Sequence, residues 1–158
     1  MNETNTANAY LRTKVMTASR EELRLMLLDG ALKFARQAET GLERNEFEMT
    51  FNGFSQCRDI VLELLNTIKP EHAPEIAKSV QDLYAFMYGE LVKASINRDI
   101  DMLREVISLL EYERETWVLA MDQLNSERET AGVAPRAAAY PYGQTAPAAS
   151  SNPVSFQA

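Results

Sequence analysis

Up to residue 130 the chain holds only two prolines, Pro70 and Pro74, and its apolar residues recur every three or four positions with no sustained alternation. That spacing is helical, and it leaves no room for a sheet. The breaks are few, so the helices must be long. A first helix is predicted from Ser19, where Ser19-Arg20-Glu21-Glu22 forms a capping box, to about Arg44. Its core stripe is Leu23, Leu27, Ala31, Phe34, Ala38 and Leu42, and Leu25, Met26, Leu28 and Leu32 lie beyond that stripe. A second helix is expected to start at Asn45, with Glu48 completing another capping box, and to stop at Pro70. Its stripe is Phe47, Phe51, Phe54, Arg58, Val61, Leu65 and Ile68. A third helix is predicted over Pro74–Asn97, with the stripe Ile76, Val80, Leu83, Met87, Leu91 and Ala94 and a second pair, Tyr84 and Tyr88. A fourth starts after Asn97-Arg98-Asp99 and ends near Glu129–Ala131. Its stripe is Ile100, Leu103, Ile107, Leu110, Arg114, Trp117, Met121 and Leu124.

Four long helices on short connections predict an all-α fold, an antiparallel up-down-up-down four-helix bundle. Residues 1–18 are polar with isolated apolar positions, and they read as an extended or loosely helical arm. The bundle is expected over 19–131. From Gly132 the composition shifts: 27 residues carry one charge, Arg136, and four of the six prolines. Residues 132–158 are therefore expected to be a disordered Ala/Pro/Ser-rich tail, too poor in apolar area to offset the entropy of ordering.

A length of 158 residues suits one domain with a tail. The net charge of −7 argues against nonspecific binding to nucleic acid or anionic membranes. No apolar run approaches ~18 residues, which excludes a spanning segment. The Met1-Asn-Glu-Thr-Asn-Thr start lacks a secretory pattern, so a cytoplasmic location is expected. A single cysteine, Cys57, excludes an internal disulfide and a cysteine zinc site. A single histidine, His72, excludes two-histidine metal sites and the paired Glu-x-x-His motifs of a di-iron bundle. Glycine-rich phosphate loops are absent. No catalytic, cofactor or metal residues are expected, and the chain does not read as an enzyme. Cys57 reads as a buried mid-helix thiol. His72 sits between two prolines in a turn, whereas a phosphotransfer histidine must project from the middle of a helix. Arg58 and Arg114 on the seams read as snorkelling or ion-paired.

What remains is a surplus of apolar surface. Leu25 and Leu28 exceed the one stripe that a bundle helix needs, and Tyr84 and Tyr88 add a second stripe to the third helix. Tyrosine and methionine are favoured where a groove accepts another chain. The candidate groove residues are Leu25, Leu28, Tyr84, Met87, Tyr88 and Leu91. Tyr10 and Leu11, an apolar pair on the arm, are the candidate lid. A thick ordinary core, with the arm packing nowhere, is the plainer alternative. A homodimeric adaptor bundle and a His72 phosphotransfer domain are two others.

Several segments, taken in order, resemble the FliS family of flagellin export chaperones. They are Ala9-Tyr10; Val15-Met16-Thr17-Ala18-Ser19-Arg20-Glu21-Glu22-Leu23; Met26-Leu27-Leu28-Asp29-Gly30-Ala31-Leu32-Lys33-Phe34; Leu83-Tyr84-Ala85-Phe86-Met87; Leu91-Val92-Lys93-Ala94 leading into Asn97-Arg98-Asp99; and Leu110 with Trp117. The resemblance covers roughly residues 7–125. Arg20 departs from the family's proline and Leu28 from its tyrosine. The resemblance implies a four-helix bundle whose N-terminal arm lies over an apolar surface. It also implies two partners, the disordered C-terminal segment of flagellin and the export gate of the flagellar secretion apparatus.

Overall fold

The computed structural model describes residues 2–71 and 73–132. Among them are five helices and no strand. Helix α1 spans Asn2–Thr17, α2 Arg20–Arg44, α3 Phe47–Asn66, α4 Pro74–Asn97 and α5 Ile100–Thr130. The all-α reading and most helix ends therefore agree with the sequence. His72 and the tail from 133 onward lie outside the described residues.

Of the two readings of the arm, extended or loosely helical, the structure takes the helical one, a regular 16-residue helix. The described side chains of Glu3–Thr17 are all exposed, so α1 gains nothing from burial. The Ser19 capping box forms as read: the Glu22 N–H donates to Ser19 Oγ at 3.1 Å, and the Ser19 N–H donates to Glu22 Oε2 at 2.8 Å. The expected Asn45 box does not form. Asn45 ends α2 in the left-handed region (φ 59°), and Glu46 precedes α3 without a side-chain cap. A turn this short needs one left-handed residue, and asparagine tolerates that conformation best among side chains with a Cβ. Arg98 plays the same part after α4 (φ 54°), and Asp99 then caps α5 by accepting the N–H groups of Asp101 and Met102, each at 3.0 Å.

Helix α2 packs on α3 and on α5, and α4 packs on α3 and α5. Gly41 meets Thr50, Ala38 meets Gly53 and Gly30 meets Ile60, so α2 and α3 run antiparallel. Ion pairs Glu21–Arg128, Asp29–Arg114, Arg36–Glu111 and Glu39–Arg104 show the same sense for α2 and α5. The core is one cluster that includes Leu28, Leu32, Phe54, Cys57, Leu64, Tyr84, Met87, Leu91, Leu103 and Leu110.

The predicted stripes are rotated on two helices. On α2 the core runs through Leu28, Leu32 and Ala35, while Leu23, Leu27, Phe34 and Leu42 are only half-buried. On α3 it runs through Thr50, Gly53, Phe54, Cys57, Val61 and Leu64, which leaves Phe47 and Phe51 exposed. The cause is close approach of the two backbones at their small residues. A Cβ on Gly53 would lie 2.5 Å from the Ala38 backbone nitrogen and 2.8 Å from its Cα. Gly53→Ala is therefore expected to lower stability by about 1–3 kcal/mol, because backbone cannot swing aside and overpacking outweighs the ~1 kcal/mol gain in helix propensity. Urea unfolding followed by circular dichroism measures it. A midpoint equal to or above the parent's would mean that the helices slide apart at no cost.

Candidate protein-binding surface

Two opposite seams of this fold, α2/α5 and α3/α4, differ in chemistry. The α2/α5 seam is laced with charge. Besides the pairs above, Arg104 reaches Glu39 at 2.7 Å and Glu43 at 2.9 Å. Such exposed pairs contribute little stability, but they cover the seam with ions and water. None of the described ion pairs crosses α3/α4.

The flank of α3 toward α4 carries Phe47, Phe51 and Leu62, at i, i+4 and i+15, hence on one side of the helix. Phe47 and Phe51 are 69 % and 67 % exposed. Arg98, at the end of α4, fixes which side this is: its guanidinium carbon sits 4.4 Å from the Phe47 ring centroid, and it donates to Asn45 Oδ1 at 2.9 Å. On α4, Tyr84 reaches toward α5, where its hydroxyl donates to Glu113 Oε2 at 3.2 Å. Helical phase then puts Leu83 and Phe86 on the flank away from α5, the α3 side. Phe86 is 54 % exposed, and Ile76 is exposed at the start of the same helix. The α3/α4 seam is thus bordered by large apolar side chains facing water. An apolar border of this kind marks an interaction surface more often than a chance excess.

A second opening lies at the end of the molecule where α2 begins. None of residues 111–130 of α5 is buried, nor any of residues 20–27 of α2. There a cleft of about 500 Å³ is lined by Arg20, Glu21, Leu23, Arg24 and Leu27 of α2, Trp117 of α5, and Thr67 and Lys69 just after α3. Arg24 is held at its wall. Its guanidinium lies 5.1 Å from the Trp117 ring and 5.4 Å from the Tyr84 ring, and it donates to the Tyr84 hydroxyl at 3.1 Å. Trp117 Nε1–H donates to the Glu21 carbonyl at 3.0 Å. Burial pushes the Tyr84 hydroxyl up to about 12; Arg24 pulls against that shift and Glu113 adds to it.

The sequence-predicted residues divide sharply. Leu28, Tyr84, Met87 and Leu91 are fully buried in the core. They lie inside the core rather than along an open groove, and their size serves packing there. Leu25 and Tyr88 are half-buried and keep an exposed part. Tyr10 and Leu11 are 68 % and 54 % exposed on α1 and cover nothing here. Phe47, Phe51 and Ile76, expected on core stripes, lie at the surface, as do Leu62 and Phe86, which those stripes leave out. The signal for them was the run of small residues Thr50, Gly53 and Cys57, which marks the close-packed face of α3 and so turns the phenylalanines outward.

Little chemistry is on offer. Cys57 is buried and burial raises its thiol to about 12, so it is inert as a nucleophile. Among the described residues no cluster of three His, Cys, Asp or Glu could hold a metal ion, and no buried side-chain polar atom lacks a hydrogen bond. No described helix is long and apolar enough to cross a membrane.

Residues 3–124 match the family model of the flagellar protein FliS, which takes in α1 and all but the last turns of α5. The chain belongs to the FliS family. It is 33 % identical over 128 residues to the flagellar secretion chaperone FliS of Bacillus subtilis, which covers 81 % of this chain and 95 % of that one. It is 30 % identical over 112 residues to the FliS chaperone of Salmonella typhimurium (70 % and 83 %), and 24 % over 105 residues to that of Vibrio cholerae (66 % and 77 %). A role as a chaperone in flagellar export follows from membership. In this FliS chain the features that remain for such a role are apolar surface and a cation-lined cleft.

Proposed function

We propose that this FliS chain is a cytoplasmic, non-enzymatic chaperone. It holds the disordered C-terminal segment of flagellin along the apolar border of α3/α4 and delivers it to the export gate of the flagellar secretion apparatus. The reading rests above all on the contrast between the two seams: one closed by ion pairs, the other bordered by Phe47, Phe51 and Phe86 facing water. Helices α2–α5 act as an antiparallel four-helix bundle, a rigid frame that needs no remodelling to bind. Flagellin's segment would otherwise pair with other flagellins and polymerise early, and burying it here removes that option. Ordering a disordered client costs about 2–5 kcal/mol or more, so the contact must be long. The length of α3 and α4 supplies that contact.

In the same reading α1 is a lid. It joins the bundle at Ala18–Ser19, beside the open end, and Tyr10 and Leu11 compete with the client whenever the arm folds down. A lid that covers the surface part of the time lowers apparent affinity by the uncovered fraction. Release comes from the export gate, since nothing in the chain suggests an energy source.

Calorimetric titration with a synthetic peptide of the last ~40 residues of a flagellin from the same genome tests the proposal. The expected result is 1:1 submicromolar binding with a negative heat-capacity change, the mark of apolar burial. No heat at several temperatures with a folded monomer would overturn it.

A further inference from the structure

We propose that the cleft where α2, α5 and the end of α3 meet captures the free C-terminal carboxylate of the client chain, with the client's last aliphatic side chain seated against Leu23, Leu27 and Trp117. This rests on the reading of the protein as a chaperone for a C-terminal segment. A bound C-terminal segment brings one obligatory anion, its own terminus. Most of this chain repels that anion, because its net charge is −7. The cleft is an exception: Arg20, Arg24 and Lys69 line it against one acid, Glu21, which itself lies 3.8 Å from Arg128. Neither Arg20 nor Lys69 is in an ion pair among the described residues.

Arg24 is the anchor. Stacked between Tyr84 and Trp117 and tied to the Tyr84 hydroxyl, its guanidinium is fixed before any ligand arrives. Among the described residues that is its one hydrogen bond, out of five N–H donors. A planar, pre-set guanidinium suits a carboxylate, and little side-chain entropy is lost on binding. The apolar wall beside it suits the side chain that immediately precedes a terminal carboxylate. A carboxylate within the chain, on Asp or Glu, brings no such adjacent aliphatic group of its own. The cleft holds about 500 Å³, room for a chain end.

The test compares three forms of the flagellin peptide by titration against the full chain: free acid, C-terminal amide, and a form extended by four residues past the natural end. The free acid is expected to bind about tenfold or more tightly than the other two, the size of a lost charge-assisted hydrogen bond. In an Arg20→Gln/Arg24→Gln/Lys69→Gln variant, whose fold is checked by circular dichroism, most of that difference should vanish. Equal binding of all three forms by the parent chain overturns the carboxylate site while leaving the chaperone reading intact. A difference that persists in full in the variant places the carboxylate elsewhere and overturns it too. Failure of every form to bind removes both readings together.

Discussion

Tyr84→Ala is expected to lower folding stability by about 3–5 kcal/mol, the cost of removing a large aromatic ring from a packed core. Tyr84 is wholly buried among Leu28, Met87, Leu91 and Leu110. Its loss opens a cavity and also strips Arg24 and Glu113 of the hydroxyl they share. Tyr84→Phe keeps the ring and should cost only about 1–2 kcal/mol, for the hydrogen bonds. Urea unfolding of both variants measures the pair. Equal costs for the two would mean that the hydroxyl network, not packing, is what Tyr84 contributes. The pH profile adds a check. Because the folded-state hydroxyl sits at about 12, above its ordinary 10.0, the folded state holds the proton more tightly. That contribution is intact below pH 10 and is lost as pH rises toward 12. Tyr84→Phe should remove that part of the alkaline loss. The part from Cys57, raised from 9.0 to about 12, should stay. Any client-binding defect in Tyr84→Ala would follow from this instability rather than from a lost contact.

This residue also shows where sequence reading stops. The helices were legible because Ser19 with Glu22, Pro70, Pro74 and Asp99 punctuate the chain locally, and each acts through bonds within a few residues. Which side of each helix faces inward was less legible. A heptad stripe assumes equal spacing between all helices, but Gly53 against Ala38 and Gly41 against Thr50 draw α2 and α3 together and rotate both. The rotation sinks Leu28 and lifts Phe47 and Phe51. A pair of tyrosines spaced by four looked like surface, yet Tyr84 goes inside because Arg24 and Glu113 satisfy its hydroxyl there. Those partners are 60 and 29 residues away, and no local pattern carries that information. The Arg24 stack and the cleft beside it were illegible for the same reason. The arm's sequence left extended and loosely helical readings open because α1 has no buried face to write a periodic pattern.

Phe51→Ala combined with Phe86→Ala is expected to weaken flagellin-peptide binding about 100-fold, with stability changed by less than about 1 kcal/mol. The first figure treats two aromatic anchors in a protein interface, each costing well over 1 kcal/mol when truncated. The second follows from exposure: side chains more than half in water contribute little to the fold, and surface substitutions usually stay within about 0.5 kcal/mol each. The comparison that gives this result meaning is Tyr112→Ala with Leu119→Ala. Those residues are 65 % and 64 % exposed, and they lie on the side of α5 opposite its buried positions Leu103, Val106, Ile107 and Leu110. They resemble the first pair in exposure but lie away from the α3/α4 border. A client that merely sought greasy surface would feel both double variants alike. A client seated along α3/α4 would feel only the first, and the control pair should change affinity less than about threefold. Equal losses would reduce the α3/α4 border to one apolar patch among several. An effect confined to Phe51 and Phe86 would tie binding to the α3/α4 seam, which no described ion pair crosses. That asymmetry is what a carrier of a sticky, unfolded segment needs. One face stays bare for the client, and the opposite seam is covered by charges that keep the empty protein from associating with itself.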